Sequence, residues 1–461
     1  MSDLQWLFSP KSIAIIGASP KKSSLNHLPL QFLMDHEYNG KVYLINPNYG
    51  EFNGNKYYSA IDEIQEEIDV ALILVNSKQV EDVVQQCVNA HVKFAIILSA
   101  GFGETGEAGQ QMEERILRLV KNSNLRLIGP NCIGLLNLEN RIPLGFAYPF
   151  SLAKYLSGEV AICSQSGAYG LGLWTRLQEE NVGVKFLGTT GNELDLGIAD
   201  MIHFYANDST IKVIGVYVEG FANKTLAEQF FGALKAAKTK GKEVVILKAG
   251  ISKAGEKASR SHTAALTGSY EVFKIKCQEM GAFVVSDIVD QINLIKVINS
   301  RKVIRGKRIA IVTTSGALGI LMADKCHEFQ LDVPHIPEDL ARKLKEFLPT
   351  YSAIINPIDL TAQVMNDPDF IINTLKVLGE SDYYDGIVLL TSTISGSAAT
   401  SFANAAIEIQ NNSDKPLFVC VTGGEMISGQ MRQIIETEKV PYFRSPHELA
   451  KIINVLIKNY S

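Results

Sequence analysis

Cysteine is scarce: six residues in 461 (Cys87, Cys132, Cys163, Cys277, Cys326 and Cys420), with no C-x-x-C and no nearby pair suited to zinc. Scattered thiols of this kind belong to a reducing setting, so a cytoplasmic location is expected. Long apolar runs are missing too. Nowhere does the chain reach the roughly 18 uncharged apolar residues of a membrane span. The start, MSDLQWLFSPKSIAIIG, lacks a basic n-region ahead of an apolar h-region. Neither a membrane contact nor a processed leader is expected. An excess of basic charge is also absent: 44 Lys and Arg against 49 Asp and Glu leave a net charge of -5. Without a basic field, nucleic acid is not an expected partner. The P-loop pattern G-x-x-x-x-G-K-[ST] occurs nowhere, so any nucleotide is expected to be held by other means.

What remains is an ordinary enzyme composition, 46% hydrophobic and 20% charged with 36 Gly and 15 Pro. At roughly 150 residues per domain, the length predicts about three domains. Short branched-apolar runs alternate with stretches of helical period, the pattern of parallel sheets with helical crossovers, so the expected fold class is α/β throughout. In the first third the expected strands are Ser12–Ile16, Val42–Ile45, Val70–Val75, Phe94–Leu98 and Leu125–Ile128, a Rossmann-like series. A second series begins after Pro149, with strands at Glu159–Cys163, Val184–Thr189, Val213–Glu219, Glu243–Lys248 and Ala282–Val285. A third follows Arg305-Gly306-Lys307, with strands near Arg308–Thr313, Gly386–Leu390, Leu417–Thr422 and Tyr442–Phe443. The expected domains are therefore 1–150, 151–302 and 303–461. The last two share an echo: ICSQSGAYGLG at 162–172 and IVTTSGALGIL at 311–321 each turn from strand to helix through Ser-Gly-Ala. Gly191-Asn-Glu-Leu-Asp195 is loosely repeated by Asn356-Pro-Ile-Asp-Leu360 in the same order, which points to a duplicated flavodoxin-like domain.

The turn after the first strand, Gly17-Ala18-Ser19, places small residues where a helix should begin and an anion could be met by backbone N–H groups. It lacks the full G-x-G-x-x-G, and the second strand ends Asn46-Pro47-Asn48 with no acid for a ribose hydroxyl. A nicotinamide or flavin dinucleotide is disfavoured; a cofactor bound through phosphates, such as coenzyme A, fits better. Ser99-Ala100-Gly101 and Gly129-Pro130-Asn131 follow the fourth and fifth strands and complete one rim.

In the second series, Ser164-Gln165-Ser166-Gly167-Ala168 combines hydroxyls with a helix start that could cradle a phosphoryl group. It is not a hydrolase elbow, because no Gly stands two places before the Ser. His262 lies in Ala258-Ser-Arg-Ser-His-Thr-Ala-Ala-Leu-Thr-Gly-Ser269, a small, polar, basic stretch with nothing to bury it. A neutral imidazole, with an unperturbed pKa of about 6.5, can attack phosphorus. Glu219 ends the strand at Val213–Val218 and could accept the imidazole N–H, fixing the tautomer, or could be merely a solvated strand-end acid.

Taken in order, Ile162–Ala168, Gly191–Asp195, Tyr217–Gly220 and Ser261–Ser269 resemble the α subunit of NDP-forming acyl-CoA synthetases, of the ADP-forming acetate–CoA ligase type. The resemblance covers nearly the whole chain. It implies a Rossmann-like CoA-binding domain followed by two flavodoxin-like domains. His262 would be the phosphohistidine, Glu219 its partner, and Ser164, Gln165, Ser166, Gly167 and Ala168 the phosphate-binding helix start. Gly17, Ala18, Ser19, Asn46, Pro47, Ser99, Ala100, Gly101 and Asn131 would hold coenzyme A. The substrate would be a small carboxylic acid or its acyl-CoA, with no metal bound to this chain. The ADP or ATP, with Mg²⁺, would sit on a separate ATP-grasp β subunit, expected because the three domains use all 461 residues, in an α2β2 assembly. The rival expectation is a non-catalytic module of the same fold that senses coenzyme A or acyl-CoA. Departures from the family pattern lie at Pro20–His27, Asn48, Ala264 and Thr267.

Overall fold

The computed structural model describes residues 4–52, 54–257, 269–361, 367 and 369–460. They fall into two compact units, Met1–Gln291 and Ile292–Ser461.

The first unit holds two seven-stranded sheets. One comprises β1 (Ser12–Ile16), β2 (Lys41–Ile45), β3 (Glu51–Phe52), β4 (Asn55–Tyr58), β5 (Val70–Ile73), β6 (Phe94–Ile97) and β7 (Arg126–Ile128), in the order β3-β4-β2-β1-β5-β6-β7. Its central pairs are parallel. Every residue of β1, β5 and β6 is buried, as the near-continuous apolar runs of a sheet covered on both faces require. The other sheet comprises β8 (Gly134–Asn137), β9 (Ile142–Gly145), β10 (Val160–Ser164), β11 (Val184–Thr189), β12 (Val213–Val218), β13 (Glu243–Lys248) and β14 (Phe283–Val285), in the order β14-β13-β12-β10-β11-β8-β9. It starts with the antiparallel hairpin β8–β9, which pairs onto β11. That sheet therefore takes strands from before residue 150.

One apolar cluster runs through both sheets, from Ile13, Ile15 and Leu72 to Ala161, Val216 and Ile246. The N-terminal turn helps to join them: Phe8 stacks on Phe204 with ring centroids 5.0 Å apart and contacts Phe186, while Asn137 Nδ2 donates to Phe8 O at 3.1 Å. Fully burying an aromatic or Leu side chain of this kind contributes about 1.5–3 kcal/mol.

The second unit is a five-stranded parallel sheet of β15 (Ile309–Thr313), β16 (Ile358–Asp359), β17 (Gly386–Thr391), β18 (Leu417–Val421) and β19 (Tyr442–Phe443), in the order β16-β15-β17-β18-β19. The echo extends to a hydrogen bond. Ser164 Oγ donates to Ser166 O at 2.6 Å, and Thr313 Oγ1 donates to Ser315 O at 2.9 Å. Both turns open a 13-residue helix, Gly167–Glu179 and Gly316–Glu328.

Candidate functional site

In the second sheet the chain passes from β10 to β11 on one side and then to β12 on the other, so the strand order reverses between β10 and β12. Open parallel sheets keep their ligands outside the carboxyl ends at such a reversal. The tips that meet there are Ser164 closing β10 with Gln165 to Ala168 after it, and Glu219-Gly220 after β12; Lys248 closes the next strand, β13.

Ser166 caps the helix Gly167–Glu179, its side chain accepting from Tyr169 N at 3.4 Å. Gly167 and Ala168 head that helix, where backbone N–H groups lack intrahelical acceptors and the dipole favours an anion. Only glycine fits at 167, because a Cβ there would stand 2.3 Å from Ile133 Cγ1. Ser164 and Gln165 have a different place. Ser164 is fully buried inside the turn. Gln165 Nε2 donates to Glu193 Oε2 at 2.9 Å and Gly220 O at 2.8 Å, while its Oε1 accepts from Glu219 N at 2.6 Å and Gly220 N at 3.2 Å. Its amide braces the two strand tips.

Glu219 is 7% exposed, so it is not a solvated strand-end acid. The Tyr217 hydroxyl hydrogen-bonds its carboxylate, and burial with that neighbouring charge raises the phenol's pKa. Glu193, half-buried, accepts from Gln165, from Thr190 Oγ1 at 2.8 Å and from Ile198 N at 2.8 Å. Burial raises its carboxyl above the ordinary range despite these donors. His262 lies outside the described residues. The segment that carries it leaves the sheet at Lys248, beside Glu219, and the chain is described again from Ser269.

Gly17, Ala18, Ser19, Asn46, Pro47, Ser99, Ala100, Gly101 and Asn131 all follow the carboxyl ends of β1, β2, β6 and β7 in the first sheet. The helix expected directly after Gly17 starts later, with a 3-10 turn at Leu25–His27 and then Leu28–Asp35. Pro20 disfavours helical geometry at Ser19. Asn26 instead closes the turn, its Nδ2 donating to Gly17 O at 2.8 Å and Leu74 O at 2.9 Å. Gly17 has φ +89°, and a Cβ there would stand 3.0 Å from Leu74 O, so both the backbone conformation and the close approach of the neighbouring strand require glycine at this turn. After β6, Gly101-Phe-Gly-Glu-Thr-Gly106 has the letters of a phosphate loop, but Glu104 Oε1 already accepts from Gly101 N at 2.6 Å and Phe102 N at 3.1 Å. An internal carboxylate fills that nest.

The two rims are bound together. Arg126 holds Asp195 through Nε at 2.8 Å and a second nitrogen at 3.0 Å, and Leu127 N donates to the same carboxylate at 2.8 Å. Asn192 Nδ2 donates to Glu104 at 2.7 Å and Glu113 at 2.8 Å, and Asn131 Nδ2 to Asn192 Oδ1 at 3.3 Å. The motif at 191–195 is therefore the joint between the sheets. The reading from sequence missed this, and it missed Lys248 and Tyr217. A single lysine closing the otherwise apolar strand Val244–Leu247 was the available signal. Among the described residues no cluster of His, Cys, Asp or Glu could hold a metal, and no helix is long and apolar enough to cross a membrane.

Comparisons with known proteins fit this architecture. Residues 11–137 match the CoA binding domain, 157–298 the succinyl-CoA ligase-like flavodoxin domain and 309–445 the ligase-CoA domain. The chain is thus of the CoA-binding, succinyl-CoA ligase-like class. The acetate–CoA ligase [ADP-forming] II subunit alpha of Pyrococcus furiosus is 30% identical over 99% of this chain and 97% of its own length. The acetate–CoA ligase [ADP-forming] I of Archaeoglobus fulgidus is 30% identical over 98% of this chain, which spans 63% of that longer protein. The dinucleotide forming acetyl-coenzyme A synthetase 1 of Ca. Korarchaeum cryptofilum, solved with phosphate and ADP, superposes with a TM-score of 0.88 at 28% identity over 100% of this chain and 97% of its own. The chain belongs to the ADP-forming acetate–CoA ligase family, among its α subunits.

Proposed function

We propose that this chain carries the acyl and phosphohistidine half of the reaction acyl-CoA + phosphate + ADP = acid + CoA + ATP, using His262 as the phosphoryl carrier. The carrying observation is that a buried carboxylate, Glu219, and the helix start at Ser166–Ala168 share the strand reversal, and the chain leading to His262 leaves the adjacent strand β13 beside Glu219. Glu219 accepts the N–H of one ring nitrogen, so the lone pair of the other faces phosphorus. The N–P bond forms as the bridging P–O bond of the acyl phosphate breaks, and the acid leaves as its carboxylate. The ring keeps its proton on the side of Glu219, whose charge offsets the imidazolium. Ser166, Gly167 and Ala168 hold the phosphoryl oxygens through helix-start N–H groups. Coenzyme A would lie on the rim of Gly17–Ser19, Asn46-Pro47, Ser99–Gly101 and Asn131, and supplies the thiol that carries the acyl group.

Residues 1–150 are assigned to coenzyme A, 151–302 to phosphohistidine chemistry and 303–461 to the duplicated domain. The nucleotide belongs to a separate ATP-grasp β subunit in an α2β2 complex, and six free cysteines fit a reducing, cytoplasmic setting for the assembly. Incubating the complex with labelled ATP and Mg²⁺ should leave acid-labile, base-stable phosphate on His262. An unchanged label in His262→Ala would remove the proposal.

A further inference from the structure

Lys248 closes β13 with its side chain only 5% exposed. Its Nζ donates to Glu219 O at 2.7 Å and also to Ala249 O. These are the carbonyls just past the paired strand ends, where Ala249 N still donates to Val218 O at 2.9 Å. One ammonium therefore ties the residue bearing the Glu219 carboxylate to the first residue of the segment bearing His262. The charged groups that face it are Glu219 from β12 and Glu256 from the segment after β13. The helix Tyr270–Glu279 presents the Phe273 ring, with its centroid 5.8 Å from Nζ.

A buried lysine is costly, and plain strand-end satisfaction is the simplest reason to keep one. The same strand supplies a comparison. Lys242, the residue just before its opposite end, is also 5% exposed and donates to Asp208 O and Ile211 O at 2.7 Å each. Lys242 is far from the carboxyl tips and has two other lysines, Lys212 and Lys240, among its neighbouring charges. Lys248 alone of the two adds a cation beside Glu219. Resting on the proposed phosphohistidine chemistry, we infer that Lys248 is a positioning residue for phosphoryl transfer: it fixes the main chain that bears Glu219 and the root of the His262 segment, and balances the charge that gathers as the phosphoryl group arrives.

Burial lowers the Lys248 pKa to about 8, with Glu219 and Glu256 working against the fall. The cationic form is the working one, so the transfer rate should decline as pH rises through that value. The test uses the full chain with labelled acetyl phosphate, following phosphate on His262 across pH 6–10, roughly the range of histidine and lysine titration. Lys248→Met should slow labelling roughly 10–100-fold. Lys248→Arg, charged at all these pH values, should retain labelling but lose the alkaline decline. Lys242→Met should lower thermal stability and leave the rate and its pH profile unchanged. Equal rates in wild type and Lys248→Met overturn the inference alone, with the phosphohistidine intact. Should Lys248→Met fail to fold, an alkaline decline unmoved in Lys248→Arg overturns it. A wild type that takes no label on His262 removes the underlying reading and the inference with it.

Discussion

Gln165 Oε1 accepts the Glu219 N–H at 2.6 Å, while Gln165 Nε2 reaches Glu193 and Gly220, so one side chain spans the reversal between two strands. Gln165→Leu keeps the bulk but strands those buried partners. A buried polar group left unpaired costs about 1–3 kcal/mol. Urea unfolding should show a loss in that range, and labelling of His262 should fall further than stability does, because Glu219 loses its frame. A variant that labels at the wild-type rate would mean that Gln165 only satisfies backbone groups.

Gly167 and Ile133 meet where the phosphate turn leans on the link between the sheets. A methyl at 167 would stand 2.3 Å from Ile133 Cγ1. Gly167→Ala should therefore cost about 1–3 kcal/mol by overpacking. Ile133→Ala removes the obstacle. The double variant should recover part of what the single one loses, giving a favourable coupling of about 0.5–3 kcal/mol in a double-mutant cycle. Simple additivity would show that the close approach is relieved by a shift elsewhere.

The strands were largely legible because buried parallel sheets write themselves as branched-apolar runs: Ser12–Ile16, Val184–Thr189 and Glu243–Lys248 stand where the pattern puts them. The hairpins were not. Ile142–Gly145 contains Pro143, which a central strand would reject but an edge strand tolerates. Glu51–Phe52 is a two-residue exposed edge, and Ile358–Asp359 is equally short. At the site, the Ser-Gly-Ala turn and Glu219 announce themselves by type and position. Asn192 and Asp195 do not, since their partners Glu104, Glu113 and Arg126 lie 69 to 88 residues away. Lys248 stayed hidden for a related reason: a terminal lysine on a strand is ordinarily solvated, and only the fold aims its Nζ inward.

Asp195 and Arg126 supply the ionic part of the joint between the two sheets of the first unit, with side chains 15% and 32% exposed. Asp195→Asn removes the bidentate counter-charge of the guanidinium, leaving the more distant Asp200, and should cost about 1–3 kcal/mol, less than breaking a fully buried pair. Since the 191–195 loop joins the two rims, the KM for coenzyme A should rise with little change in labelling by acetyl phosphate. Loss of labelling with an unaltered KM would place the loop in the transfer step instead.

Asp385 offers a pH-dependent contribution in the second unit. Burial pushes its carboxyl up, but Arg308 donates to it from the backbone N–H at 2.9 Å, from Nε at 3.1 Å and from a terminal nitrogen at 2.7 Å, and the net result lies below the usual aspartate value. A carboxyl depressed in the folded state stabilises above its unfolded pKa of about 3.9 and loses that contribution as pH falls through the folded value. The Arg308 side chain is 44% exposed, so solvent screening holds the pair to about 1 kcal/mol at most. Asp385→Asn should therefore be less stable than wild type by about that amount at neutral pH. The gap should narrow once the native carboxyl is protonated, at pH values below about 3.9. Urea titrations at both ends of this window check the sign: a gap that widens in acid would mean that the Asp385 carboxylate destabilises the fold.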